Sequence, residues 1–188
     1  KPYEPKSYKD DTISHTTARD MSLLSNHILN AHPDVLKITK LSKDKQSNQE
    51  LHNTNTSLPN EADGMKDVDG LKTGHTNEAG FCMTTSSKRG PMRLISVIFG
   101  TPSMNERASQ TRTLLAWGFS NFETVNVQPA NQVLAKAKVW FGKEDEVQIG
   151  LAENFNVTMP KGQADNIKTQ LVIQPKLNAP LAKGQVVG

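Results

Sequence analysis

A lysine, a threonine and a glycine in succession, Lys72-Thr73-Gly74, close a short strand-like run that begins at Val68. A strand sends alternate side chains to opposite faces, so Lys72 and Gly74 share one face and Thr73 takes the other. The glycine has no side chain and lets a ligand come up to the backbone, with an ammonium and a hydroxyl beside it. Taken alone, the tripeptide reads equally as an exposed Lys-Thr pair on a hairpin. Its meaning depends on what else in the chain could do chemistry.

Two strings invite a serine nucleophile. Ser42-Lys43-Asp44-Lys45 fits Ser-x-x-Lys, but such a serine belongs at a buried helix start, with its lysine desolvated enough to act as a base. Here the neighbours are Lys, Asp, Gln, Ser and Asn, so Lys45 is expected to be solvated and protonated, in a loop. Ser103-Met104-Asn105 fits Ser-x-Asn, yet Ser103 with Glu106 three residues on reads better as a capping box before an apolar-periodic run. Cys82 lies inside an apolar run and is expected to be a small core residue rather than a nucleophile. As the single cysteine it rules out an internal disulfide and leaves the redox compartment open. His15, His27 and His32 lack the i, i+4 spacing and the acidic partner of a metal site, so neither metal nor cofactor is expected.

Composition narrows the function classes. The net charge of +3 over 188 residues is small and evenly spread, and the ten Trp, Tyr and Phe residues are not interleaved with basic clusters. Nucleic acid is therefore not an expected partner. Apolar content of 35% and charged content of 22% describe a polar but globular chain, long enough for one average domain or two small ones. No run approaches the roughly 18 apolar residues of a membrane span, and Lys1-Pro2-Tyr3-Glu4-Pro5 is not a signal peptide.

The elements that must position these residues follow in order. Residues 1 to 15 are polar, contain proline and read as an irregular lead-in. From Thr17 the spacing predicts a helix burying Ala18, Met21, Leu24, Ile28 and Ala31 against a sheet, with Thr17 as N-cap, Asp20 in the first turn and Pro33 as the stop. Residues 37 to 67 read as loops with one weak hairpin and no core element. After the Lys-Thr-Gly strand, Ala79–Ser86 and Arg93–Gly100 are expected to pair as an antiparallel hairpin across Gly90-Pro91, with Leu94–Phe99 as a buried central strand. A helix is expected from Asn105 to Trp117, showing Ala108, Thr111, Leu114 and Leu115 along one side and ended by Gly118. From Phe122 the runs 137–141, 146–150, 156–159 and 170–173 are short and β-prone, which predicts a small all-β module with its boundary near 120 to 125. The final Lys183–Gly188 reads as a strand cut short, an unpaired edge that implies a missing C-terminus.

Lys-Thr-Gly is the third element of the Ser-x-x-Lys, Ser-x-Asn, Lys-Thr-Gly set of serine enzymes that handle penicillins. The chain resembles one family of these, the D-alanyl-D-alanine carboxypeptidases of the low-molecular-mass penicillin-binding proteins, type 5/6. The residues that carry the resemblance are Thr16–Met21, Val68–Thr76, Ala79-Gly80-Phe81, Met92–Val97, Leu115–Phe119, Phe122–Val125, Val139–Gly142 and Lys183–Gly188, in order along both modules. It implies an α/β (α+β) part of a penicillin-recognising serine-hydrolase domain over residues 1–121, followed by a small all-β domain over 122–188. The activity implied is removal of the terminal D-Ala from peptidoglycan stem peptides, with β-lactams as the other ligands, in the periplasm or on the outer face of the cytoplasmic membrane.

By the same resemblance, Lys72 and Thr73 bind the terminal carboxylate of a D-Ala-D-Ala peptide or the matching carboxylate of a β-lactam, and Gly74 allows close approach. An ammonium and a hydroxyl donor suit a carboxylate, the more so in a desolvated cleft. His75 is either a substrate contact or a rim residue. Arg107 is either a second carboxylate contact or a helix-surface arginine. The family's nucleophilic serine, its lysine base and its Ser-x-Asn have no counterpart here, so the chain is expected to begin after them and to be inactive alone. The family's C-terminal membrane-anchoring helix is likewise without a counterpart. Two other readings stand beside this one: a non-catalytic relative that binds peptidoglycan or protein, and a β-lactamase. The β-rich module after Phe122 argues against the last.

Overall fold

The computed structural model describes residues 16–61 and 63–188, so the expected lead-in over 1–15, with His15, lies outside the described residues. The chain divides after Gly118 into two compact units. Among the described residues no helix is long and apolar enough to cross a membrane.

The first helix, α1 (Ala18–Ala31), starts where Thr17 and Asp20 place it. The Thr17 hydroxyl oxygen accepts from the Asp20 N–H at 3.1 Å, and the Asp20 carboxylate accepts from the Thr17 N–H at 3.2 Å. Two orphan donors of the first turn are thus satisfied reciprocally. It ends at His32, and Pro33 opens a short 3-10 turn leading into α2 (Leu36–Thr39). The buried face of α1 is not the expected one. Ser25 and Leu29 are buried, while Leu24 is 49% exposed and Ala18 and Ala31 are exposed. A small polar Ser25 seated against the sheet turns the apolar stripe by about one residue, which apolar spacing alone does not register.

The weak hairpin forms as β1 (Lys43–Gln46) and β2 (Gln49–His52), exposed along its length, with Ser47 and Asn48 at positive φ as a two-residue turn requires. The segment after it departs from expectation. Leu58 is completely buried and forms a core cluster with Val68 and Leu115, and Asn55 and Ser57 are buried beside it in sequence. Side chains replace the missing ladder: Asn53 Oδ1 accepts from the Asn55 N–H at 3.0 Å and Asn55 Oδ1 from the Ser57 N–H at 3.1 Å. A polar loop can enter a core when its own amides satisfy its backbone.

The sheet that carries the site is antiparallel, in the order β3 (Val68–Thr76), β4 (Gly80–Arg89), β5 (Met92–Thr101). The expected hairpin is present, but β4 is the central strand and β5 lies at an edge, with Phe99 40% exposed. The central strand is buried through Met83, Thr84, Thr85, Ser86 and Ser87. Hydroxyl residues hide such a strand from any hydrophobic scan, although Thr suits a pleated surface. Across the three strands Arg93 Nη1 donates to both Asp69 carboxylate oxygens at 2.9 Å and contacts Ser86 Oγ.

Helix α3 (Met104–Asn121) runs past Gly118 rather than ending there. A Cβ at Gly118 would stand 2.6 Å from Leu94 Cδ1, so this glycine permits close helix-on-sheet approach. Arg107, Ala108, Thr111 and Leu115 are buried and Leu114 is 40% exposed, so the inner face excludes Leu114, which had been expected on it.

The second unit, Phe119–Gly188, is built of short strands. β6 (Phe122–Gln128) and β9 (Phe155–Pro160) pair antiparallel, as do β7 (Val133–Trp140) and β8 (Glu146–Gly150). Residues 170–173 are irregular, and the remaining strand is instead β10 (Leu177–Asn178), parallel to the end of β7. Two residues are too few for alternation to reveal. Lys183–Gly188 is also irregular, with a turn at its start. The architecture is mixed α/β followed by β, the fold class expected.

Candidate substrate-binding site

Four elements converge on an open hollow of about 310 Å³. The end of β3 contributes Lys72, Thr73, Gly74 and His75, the loop after β2 brings Thr54, β4 supplies Phe81, and the start of α3 brings Met104 and Arg107. The three residues of the motif, His75 after them, and Arg107, distant in sequence, therefore line one hollow.

The start of α3 is set by Ser103, whose hydroxyl oxygen accepts from the Glu106 N–H at 3.1 Å. That places Arg107 in the helix's first turn, pointing inward. It is 2% exposed. Its Nη2 donates to the Thr54 carbonyl at 2.8 Å and its Nη1 to the Cys82 carbonyl at 3.4 Å, with the guanidinium 6.0 Å from the Phe81 ring centroid. Its Nε is buried without a hydrogen-bond partner among the described residues. Burial pulls the Arg107 pKa below its ordinary value, and the nearby Cys82 thiol, when ionised, works the other way. Neither effect removes the charge near neutrality, so Arg107 is a buried cation behind the wall rather than a solvated helix-surface residue.

Lys72 is exposed and its Nζ donates to the Thr73 carbonyl. Thr73 is half-buried, with its hydroxyl 2.6 Å from that of Thr54. Gly74 faces open space: a Cβ there would meet nothing within 4 Å, so a ligand backbone can approach the strand. His75 packs on Phe81 with ring centroids 4.0 Å apart at 33°. The arrangement presents one exposed ammonium, one hydroxyl and one buried guanidinium around a bare stretch of strand. Its chemistry suits a ligand that is anionic at one end and extended beyond it.

Neither string that resembled a nucleophile site builds one. Lys45 is exposed on the β1–β2 hairpin, a strand rather than the expected loop but solvated as expected. Ser103 caps α3. Cys82 is half-buried in β4, its Sγ 3.3 Å from the Ala79 carbonyl. Among the described residues no three His, Cys, Asp or Glu side chains gather as metal ligands. A larger open hollow, about 600 Å³, lies by the β4–β5 turn, but its Lys66, Lys88, Arg89 and Gly90 are exposed and Arg89 is closed onto Asp67 at 2.7 Å. It is a solvated dent in a charged surface. Sequence reasoning missed Thr54, Phe81 and Met104 as wall residues. The one available signal for Thr54 was the Asn53-x-Asn55-x-Ser57 pattern, which marks a shaped loop rather than a random one.

A profile of the D-alanyl-D-alanine carboxypeptidase family matches residues 5–103, and one of the penicillin-binding protein 5 C-terminal domain matches residues 122–188. D-alanyl-D-alanine carboxypeptidase DacA of Haemophilus influenzae is 36% identical over 186 residues, covering 95% of this chain and 45% of the relative. The solved structure of penicillin binding protein 5 from Haemophilus influenzae superposes with a TM-score of 0.68 at 35% identity, over 92% of this chain and 50% of that one. Penicillin-binding protein D2 of Listeria monocytogenes in its cefotaxime-bound form matches at a TM-score of 0.51 and 33% identity, over 55% of this chain and 41% of that one. The chain spans less than half the length of the curated relatives it matches.

Proposed function

The chain belongs to the D-alanyl-D-alanine carboxypeptidase family, and from that premise we propose that its first unit is the carboxylate-binding wall of a serine acyl-transfer site. The ligands are peptidoglycan stem peptides ending in D-Ala-D-Ala and, by the likeness of their carboxylate, β-lactams. The observation that carries this reading is the meeting of Lys72, Thr73 and Gly74 with Arg107 at one hollow, although Arg107 lies more than thirty positions further along the chain.

The geometry supports the following roles. Lys72 swings from the Thr73 carbonyl to meet the C-terminal carboxylate, Thr73 donates its hydroxyl, and the open strand at Gly74 receives the peptide backbone. Arg107, tied to the Thr54 and Cys82 carbonyls, adds positive potential from behind and holds the loop to the sheet. His75, packed on Phe81, forms the rim. Each charge-assisted contact to the carboxylate contributes about 1.5–3 kcal/mol in a site shielded from water. Catalysis then requires a serine and its lysine base. In a polypeptide that supplies them, the serine attacks the penultimate D-Ala carbonyl and the terminal D-Ala leaves with a proton. Water then hydrolyses the acyl-enzyme. Among the described residues the strings at Ser42 and Ser103 offer no such pair, since Lys45 is solvated and Ser103 caps a helix, so on this reading the chain by itself forms no acyl-enzyme. Peptidoglycan lies outside the cytoplasmic membrane, which places the proposed site of action on its outer face or in the periplasm.

Fluorescent penicillin tests this reading. The natural polypeptide containing this sequence should become covalently labelled and the isolated 188-residue chain should not. Labelling of the isolated chain would overturn the reading of Ser42 and Ser103. The same lack of a nucleophile–base pair favours a second reading, a non-catalytic relative that binds peptidoglycan or protein. Binding of D-Ala-D-Ala peptides without labelling of the natural polypeptide would select it.

A further inference from the structure

The hydroxyls of Thr54 and Thr73 stand 2.6 Å apart, although 19 positions separate them in the chain. Thr54 is exposed at the mouth of the hollow, so nothing about burial requires this contact. Its backbone is nevertheless fixed, because its carbonyl accepts from Arg107 Nη2 at 2.8 Å and the next residue, Asn55, is held by the Asn53 side chain at 3.0 Å. One residue thus joins the buried guanidinium to the hydroxyl proposed to meet the carboxylate.

A hydroxyl has one proton and two acceptor sites. Of two paired hydroxyls only one donates to the other. If Thr73 donates to Thr54, its proton is spent and its oxygen turns lone pairs toward an anionic ligand, which repels. If Thr54 donates to Thr73, the Thr73 proton is free to point into the hollow, and accepting a hydrogen bond makes it a better donor. An anion in the hollow selects the second arrangement. We propose that Thr54 is a positioning residue for carboxylate recognition: its hydroxyl donates to Thr73 Oγ1 and thereby commits the Thr73 proton to the bound carboxylate. This rests on the reading of Thr73 as a carboxylate contact. It adds a residue in the loop after β2 that sets the strength and direction of that contact.

The test uses the natural polypeptide and a fluorescent penicillin, separating the half-saturating concentration from the limiting acylation rate. Thr54→Val keeps shape and removes the donor, and Thr54→Ser keeps the donor. Thr54→Val should raise the half-saturating concentration by about three- to tenfold, as expected for loss of one hydrogen bond, and leave the limiting rate unchanged. Thr54→Ser should restore the native value, and in a Thr73→Val background Thr54→Val should add nothing further. Circular dichroism melts report whether each variant is folded, and a variant that melts early is measured below its transition. Thr54→Val behaving as native while Thr73→Val is impaired would overturn the inference alone. So would failure of Thr54→Ser to restore binding, or persistence of the Thr54→Val effect without the Thr73 hydroxyl. Thr73→Val without effect would instead remove the underlying reading of Thr73.

Discussion

Replacing Arg107 tests the structural argument for the wall where its energetics are most explicit. The guanidinium is 2% exposed and makes one short bond to the Thr54 carbonyl, 2.8 Å, and one long bond to the Cys82 carbonyl, 3.4 Å. A charge-assisted bond at the first distance contributes about 1.5–3 kcal/mol, and the second is close to the geometric limit and adds little. Against this, removing a buried charge recovers its desolvation cost, the main reason its pKa is lowered. Arg107→Met should therefore destabilise the first unit by about 2 kcal/mol, and Arg107→Lys, which keeps a donor for Thr54, by about half that. In urea the midpoint should fall by about 1 M for Arg107→Met, taking a slope near 2 kcal/mol/M. With its folded pKa lowered, Arg107 binds its proton less tightly in the native than in the unfolded state. Stability then rises with pH only in the alkaline window between the two values, and the cost of the charge is constant below it. The difference between wild type and Arg107→Met should accordingly be flat from about pH 5 to 7, below the pH at which a cysteine thiol ordinarily ionises. A midpoint shift below about 0.2 M, or a shift that varies across that range, would refute this account of the arginine.

Two further expectations concern the fold. Leu58→Ala, at a fully buried position packed with Val68 and Leu115, should cost about 3 kcal/mol in a urea melt of the first unit, and a cost under about 1 would mean that the loop is not part of the core. In the second unit Phe141 sits at φ 63° and is 90% exposed, so Phe141→Gly should relieve a left-handed strain of about 1–2 kcal/mol against the roughly 0.5–1 that glycine costs. The thermal transition of that unit should rise slightly, and a fall would show that the phenyl ring has a seat.

The parts of this structure that could be read from the sequence are those where one local signal decides the outcome. Thr17 with Asp20 starts α1, Gly90-Pro91 turns β4 into β5, and Lys72-Thr73-Gly74 marks the strand of the candidate site. The misreadings share a cause, which is that burial here is carried by polar or small residues. Ser25 faces the sheet where Leu24 was expected, and Thr84 to Ser87 form the hidden part of the central strand. Asn55 and Ser57 enter the core because side-chain bonds satisfy the loop. Gly118 looked like a helix stop because glycine usually is one, but contact with Leu94 requires it inside the helix. The pattern around Thr54 marks a shaped loop, but not the contacts Thr54 makes, since its partners lie 19 and 53 positions away.

The claim on which the functional account rests is that β3 grips a carboxylate through Lys72. The most direct measurement is the second-order rate at which fluorescent penicillin acylates the natural polypeptide, compared with its Lys72→Ala variant. Lys72 is exposed and donates only to its neighbour's carbonyl, so the variant should fold with unchanged stability. The account predicts a fall in rate of about ten- to a hundredfold, the equivalent of one charge-assisted contact. A rate equal to wild type in the folded variant would contradict it.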